Sequence, residues 1–296
     1  MSLTWQGGAV PEPQRPGAAG LVRAALRAIP LLIVLSIGLL LSILVRTVER
    51  PLCHGRRPVT SRITVLVCRS SLWFIGLRVR VGGQPIRGPG AILANHSSWL
   101  DILVLNSRQR LVFVSKSEVA AWPGIGQLAQ VTGTLFIRRE ARGEVTAQAR
   151  ALSDRIAAGQ TIALFPEGTS TDNRRVLPFK PSLLAGLLAK DLPDDLALQP
   201  VTLWYEAPLG QDPRFYAWYG SMDFGPHALA VLAASHRGVV HVTYHAAIPV
   251  AGRQRKSLAA QAEATVRGAL PGREEPVSAD GVVQAPQAGD RIAGLP

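Results

Sequence analysis

Apolar and polar positions along this chain follow two rhythms. The stretch IPLLIVLSIGLLLSILV, from Ile29 to Val45, carries no charge and as a helix presents hydrocarbon on every face. Seventeen residues at ~1.5 Å each reach about 26 Å, slightly less than the ~30 Å hydrocarbon thickness of a bilayer. Arg23 and Arg27 flank one end, Arg46 and Arg50 the other, and snorkelling arginines lengthen such a span. The run reads as a membrane helix that either crosses the bilayer or enters one leaflet. A cleaved leader is disfavoured because RTVERPLCHGRR follows, with no small-x-small site. A buried core helix is the remaining alternative.

Beyond about residue 80 the rhythm shortens. AILA (91–94), LVFVS (111–115), TLFI (134–137), TIALF (161–165), LQPVTLWY (198–205) and VVHVTY (239–244) read as strands. Between two of them Val145, Ala149, Leu152 and Ile156 recur at helical spacing, and Gly159 supplies a stop. PSLLAGLLAK (181–190) predicts a second helix with Pro181 in its first turn. Strands alternating with helices predict an α/β domain with a single, largely parallel or mixed sheet flanked by helices. The expected organisation is a disordered stretch over 1–20, a membrane-anchoring helix over 21–50, the α/β domain over 51–269 and a flexible tail over 270–296. The first of these is rich in Gly, Pro and Gln, the last in Pro, Gly and acidic residues.

Composition narrows the partners. The chain has 296 residues and is 47% hydrophobic, which excludes a mainly disordered protein. A net charge of +12 favours anionic partners, nucleic acid or anionic lipid. Arg56, Arg57, Arg62, Arg69, Arg78 and Arg80 follow the apolar run. Basic residues beside a membrane account for the charge without nucleic acid, and the positive-inside rule places the following domain in the cytoplasm. No basic platform interleaved with aromatics, of the kind that binds single strands, is visible. Cys53 and Cys68 are the only cysteines and lack metal-ligand neighbours, so a reduced structural role is expected. His241 and His245 lie four apart on an expected strand without acidic or cysteine partners, so no metal is called for.

Candidate chemistry begins at ANHSSWLD (94–101). Residues five apart on one regular helix lie ~140° apart around its axis. His96 and Asp101 can therefore meet only if His96 sits in the turn leaving a strand and Asp101 in the first turn of the next helix. The carboxylate would then bond one ring nitrogen, and the other would face the end of the sheet where ligands of α/β folds bind. Ser98-x-x-Asp101 is equally a capping-box pattern that needs no catalysis. Ser97 and Ser98 lack a nucleophile elbow.

The companions of this stretch change its weight. GTLFIRR (133–139) ends a strand with arginines, FPEGTS (165–170) ends another with Glu-Gly, and LQPV (198–201) holds a proline in an apolar run. KSEVAAWPGIG (116–126) lies between the first two blocks. In this order the set resembles the glycerophospholipid acyltransferase family, with its Asn-His-x-x-x-x-Asp, Phe-Ile-x-Arg, Phe-Pro-Glu-Gly-Thr and proline blocks. The similarity covers about residues 80–250, and a membrane-embedded N-terminal helical segment is usual in the family.

That resemblance implies transfer of a fatty acyl group from acyl-CoA or acyl carrier protein, as co-substrate, to a lysophospholipid hydroxyl, with no cofactor and no metal. It implies His96 as general base and Asp101 as its orienting partner. It also implies Arg139, Glu167, Gly168 and Thr169 as residues around the acceptor; for the oxyanion, backbone N–H groups or Lys116 are the candidates, and the sequence does not decide between them. The main acceptor it implies is 1-acylglycerol-3-phosphate. One departure matters: Ser170 stands where many members carry arginine, so a phosphate ligand would be displaced to Arg174 or Arg175. The continuation FPEGTSTD…RVLPFK resembles the branch that acylates lyso-ornithine lipid, an acceptor without phosphate, and both acceptors stay open. The expected location is the cell inner membrane, with the catalytic domain on its cytoplasmic face. A catalytically silent membrane-binding scaffold with the same fold is the alternative of a different class.

Overall fold

The computed structural model describes residues 5, 7, 10, 11, 15–53, 56–88, 90–121, 125–137, 145–189 and 192–271. Two helices lead the chain, α1 (Ala18–Leu52) and α2 (Thr60–Ile75), followed by β1 (Leu77–Gly82), β2 (Gly90–Ala94) and α3 (Leu100–Asn106). Next come β3 (Leu111–Lys116), a 3-10 turn (Ser117–Ala121), α4 (Ile125–Thr132), β4 (Leu135–Ile137), α5 (Val145–Ala157) and β5 (Thr161–Leu164). A 3-10 helix (Pro181–Leu188), β6 (Ala197–Glu206), α6 (Phe224–Ala233), β7 (Gly238–Tyr244), β8 (Ile248–Pro249) and α7 (Arg255–Gly268) complete it.

The strands form one mixed sheet in the order β1-β7-β6-β2-β5-β3-β4, with β8 pairing the start of β6. Only the β6–β7 and β6–β8 pairs are antiparallel. β2, GAILA, is buried at every position. Parallel neighbours on both edges and helices on both faces explain why this strand reads as a continuous apolar run. Its alternate residues feed two cores. Ala91 and Leu93 join Leu152, Ile156, Leu184 and Leu258 on the face covered by α5, the 3-10 helix and α7. Ile92 and Ala94 join Leu72, Leu100, Val104 and Leu105 on the face covered by α2 and α3. Each fully buried leucine contributes about 1.5–3 kcal/mol of transfer free energy.

All six expected strands are present, and α5 lies where the helical spacing put it, with Gly159 at φ +77° just past its end. The segment after Pro181 is a 3-10 helix packed between α5 and α7 rather than an α-helix. β1 and α2 lie in the stretch read only as a basic juxtamembrane region. Exposed Arg78 and Arg80 alternate with Val79 and Val81 in β1, the period of a strand, although the density of arginine here reads as juxtamembrane charge. Cys68 is buried in α2, where burial pushes its thiol up to about 12, and Cys53 follows α1; neither forms a disulfide.

α1 is held at both ends. Arg23 donates to the carbonyl of Ala233, and Arg27 to those of Leu232 and Ala234, so two of the flanking arginines satisfy the orphan carbonyls at the end of α6. At the other end Glu49 accepts the N–H groups of Val59 and Thr60 and the Thr60 hydroxyl, which fastens the start of α2. Midway, a Cβ on Gly38 would collide with Val67, so the glycine sets how closely α1 and α2 approach. The side of α1 away from α2 remains apolar and open, with Leu32, Ile33, Leu40 and Leu44 exposed. By length and composition alone α1 could cross a membrane.

Candidate active site

β2 stops at Ala94 because Asn95 takes over its hydrogen bonding. The Asn95 amide donates to the carbonyl of Leu203 and accepts its N–H, both at 2.8 Å, so a side chain continues the ladder to β6. Asn173 does the same to Tyr205, at 2.8 and 2.9 Å, from a left-handed backbone with φ +68°. Asparagine tolerates that conformation better than most residues. The chain after Asn95 is thereby free to leave the sheet. His96 is the first residue to do so.

The His96 main chain is held on both sides by the segment after β5. Its N–H donates to Glu167 Oε1 at 2.7 Å, and its carbonyl accepts from the Thr171 N–H at 2.9 Å. Its ring stacks on Phe165, with centroids 4.1 Å apart and planes 14° from parallel. Ring Nδ1 lies 2.7 Å from Asp101 Oδ2. A carboxylate there accepts the Nδ1 hydrogen, which leaves Nε2 with its lone pair. The His96 side chain is 22% exposed, whereas Asp101 is fully buried.

Asp101 sits in the first turn of α3, and the capping pattern and the imidazole contact turn out to be one feature. Oδ2 also accepts the N–H groups of Ser97 and Ser98, at 2.8 and 3.0 Å. Ser98 Oγ in turn accepts from Leu100 N–H at 3.3 Å. The other oxygen, Oδ1, accepts the Tyr205 hydroxyl at 2.6 Å. All four contacts reach a group with no access to water, so the carboxylate keeps one orientation. Burial, then the neighbouring Asp101 charge, raises the Tyr205 phenol well above its ordinary value, and it stays a donor.

Glu167 was expected near the acceptor. Its carboxylate is buried, and both oxygens accept main-chain N–H groups, of His96 and of Leu177, each at 2.7 Å. Burial pushes its pKa up to about 8, against the pull of those two donors. Gly168 follows in a left-handed turn with φ +77°, its N–H bonded to the Phe165 carbonyl. Thr169 Oγ1 accepts the N–H of Trp5 at 3.3 Å. The Trp5 ring lies 5.2 Å from Tyr219 and beneath the guanidinium of Arg175, which pairs with Asp172. Lys116 is the last residue of β3, paired in register with Ile137. Arg139 lies outside the described residues.

The immediate neighbours of Tyr205 do not mark it as a partner of Asp101. One signal was available: Val201, Leu203 and Tyr205 alternate along β6 and so share a face with Asp101. Nothing local singled out Asn173 or Thr171, and Phe165 stood out only as the first residue of the FPEGTS block. Three other histidines, His227, His241 and His245, are occupied elsewhere. His227 accepts Trp99 Nε1–H on Nδ1 at 3.1 Å, and burial lowers its pKa to about 4, so it is neutral. His241 pairs with Glu206, and His245, beyond the end of β7, pairs with Thr202, so the two do not converge.

A buried Asp–His pair whose second nitrogen reaches solvent at the carboxyl ends of parallel strands suits removal of a proton from an alcohol. The comparisons agree with that chemistry. The Acyltransferase family model matches residues 78–204. A lyso-ornithine lipid O-acyltransferase from Rhodobacter capsulatus is 48% identical over 267 residues, 90% of this chain and 96% of that protein. A 1-acyl-sn-glycerol-3-phosphate acyltransferase from Neisseria gonorrhoeae is 31% identical over 125 residues, 42% of this chain and 49% of that one. The crystal structure of the 1-acyl-sn-glycerophosphate acyltransferase from Thermotoga maritima superposes with a TM-score of 0.59 at 18% identity, covering 85% of this chain and 95% of the other. That last likeness concerns the fold alone. Near-half identity over nine-tenths of the length is decisive for kinship, and the chain belongs to the acyltransferase family as an O-acyltransferase of the glycerolipid type.

Proposed function

We propose that the protein transfers a fatty acyl group from a thioester, on coenzyme A or acyl carrier protein, to the hydroxyl of a lyso-lipid. The observation that carries this is the 2.7 Å contact between His96 Nδ1 and Asp101 Oδ2, with the imidazole partly open. Nε2 takes the hydroxyl proton as the oxygen attacks the thioester carbonyl. The tetrahedral oxyanion then collapses, the C–S bond breaks, and the imidazolium returns its proton to the departing thiolate. No acyl-enzyme forms, and Asp101 supports the transient imidazolium. A positioned base of this kind contributes typically ~10²–10⁴-fold. Arg139, Thr169 and Lys116 remain the candidates for holding the acceptor and the oxyanion. Glu167 acts by fastening the histidine loop.

Lyso-ornithine lipid is the preferred acceptor over 1-acylglycerol-3-phosphate. The relative that matches nearly end to end carries that name, whereas the glycerol-phosphate relative matches less than half of the chain. Purified protein supplied with acyl-CoA or acyl carrier protein and each acceptor in turn tests both levels. Thiol release with lyso-ornithine lipid alone is the expected result. Release with lysophosphatidate alone reverses the acceptor, and no thioester consumption with any pair refutes the enzyme reading.

The membrane arrangement follows from α1. Its two ends are tied to the domain, and its open side is apolar, which supports insertion into one leaflet alongside the domain rather than a crossing. The dense arginines after it support the cytoplasmic face of the inner membrane.

A further inference from the structure

At the end of α1 remote from α6, a cavity of about 400 Å³ opens between α1, the residues before α2, α4 and α5. Arg46, Arg50, Arg57 and Arg155 line it together with Ile43 and Gly133. The carboxylate beside this group, Glu49, already serves Thr60, Val59 and Arg46. Arg57 is the most exceptional of the four. Its Nε is buried without a hydrogen-bond partner among the described residues, and its guanidinium lies so close to Gly133 that a Cβ there would collide with it. Burial, then the charges of Arg46 and Arg155, lower its pKa to about 10. Four converging guanidiniums with so little compensation are costly unless an anion completes them.

This cavity is not the site of acyl transfer. Gly133 precedes β4, and Arg155 lies in the last turn of α5 before β5, whereas His96 and Glu167 follow the ends of β2 and β5. One wall is apolar and continues into the hydrocarbon face of α1, where Leu40, Leu41 and Leu44 are exposed. A basic head site joined to an apolar track fits an amphiphile. Basic pockets between helices at a membrane surface take phosphate head groups.

We infer that the pocket formed by Arg46, Arg50, Arg57 and Arg155 binds the phosphodiester of an anionic phospholipid whose acyl chains lie along α1. The inference rests on the one-leaflet placement of α1. The phosphate is bridged by guanidinium forks, which hold two oxygens at a time. The lipid thereby anchors the end of α1 and sets the catalytic domain at a constant height above the leaflet.

The test is flotation of the full chain with phosphatidylcholine vesicles, with or without a fifth of phosphatidylglycerol. The wild type is expected to prefer the anionic vesicles. An R57Q/R155Q variant is expected to lose that preference by about tenfold or more, while binding to neutral vesicles and acyl transfer in neutral detergent micelles persist. R57K/R155K, which keeps the charge without the forks, is expected to fall between. R78Q/R80Q removes equal charge from exposed β1 and is expected to change little. Equal loss in that control overturns the site in favour of diffuse surface charge. Displacement of the lipid preference by millimolar inorganic phosphate overturns the lipid assignment, because the apolar track would then be irrelevant. A raised KM for acyl carrier protein in R57Q/R155Q, with vesicle preference intact, assigns the pocket to that acidic protein instead. Failure of the wild type to float with either vesicle refutes the placement of α1 itself.

Discussion

The Tyr205 hydroxyl donates to Asp101 Oδ1 at 2.6 Å, from a strand 104 residues further along the chain. Together with the Ser97 and Ser98 N–H groups it keeps the carboxylate from rotating away from His96, whose Nδ1 bonds the other oxygen. Tyr205→Phe keeps the ring and removes the bond. The expected result is a fall in kcat of roughly tenfold with KM little changed, and a stability loss of about 1–3 kcal/mol from the unsatisfied oxygen. Steady-state thiol release and a melting curve read both. Unchanged kcat with the stability loss would confine Tyr205 to the core.

His96→Ala and Asp101→Asn separate catalysis from capping. Loss of His96 is expected to cost at least ~10²-fold in kcat while the fold persists. Asp101→Asn is expected to lose comparable activity and also ~1 kcal/mol of stability, since the same oxygen caps α3. Ser98→Ala touches only the cap, through its bond from Leu100 N–H. It is expected to lower the melting temperature and leave turnover near normal. An Asp101→Asn variant that merely melts earlier would make the carboxylate a cap alone.

Glu167 ties the stability of the site to pH. Its pKa rises on folding, mainly through burial, from 4.5 to about 8. Between those values the folded state holds the extra proton, so this contribution is complete below pH 4.5 and is lost as pH rises through about 8. Glu167→Gln removes the titration. The difference in melting temperature between wild type and E167Q is therefore expected to move against the wild type from pH 5 to pH 8. A difference that does not vary with pH would mean that the two backbone donors, not burial, set the protonation of Glu167.

Gly38 and Val67 offer a packing test. Gly38→Val places a branched side chain where Val67 already sits and is expected to cost about 1–3 kcal/mol. Val67→Ala in the same chain is expected to restore part of it, as a double-mutant cycle would show. Additive losses would mean that α1 and α2 part easily.

Much of this protein is legible from local pattern. The strand runs, α5, the apolar helix and the His96–Asp101 spacing all depend on neighbours within a few residues. β1 and α2 escaped because their arginines read as juxtamembrane charge, although in β1 they alternate with valine at the period of a strand. The helix beginning at Pro181 lies where the pattern put it, and only its 3-10 winding, packed between α5 and α7, was not legible. Local pattern also proposed that His96 and Asp101 meet across a strand-to-helix turn, and they do so at 2.7 Å.

What remained hidden is whatever depends on one strand lying beside another. Tyr205 becomes a partner of Asp101 only once β6 pairs with β2, and Asn95 and Asn173 gain their roles from the same pairing. Glu167, singled out in one dimension as a residue around the acceptor, is seen in three to accept main-chain N–H groups of His96 and Leu177. Local order along the chain therefore determined most of the elements and which residues are candidates for the chemistry. The assembled sheet decided which way each side chain is aimed, because hydrogen bonds over 2.6–2.8 Å between residues up to 108 apart exist only after the strands are in register.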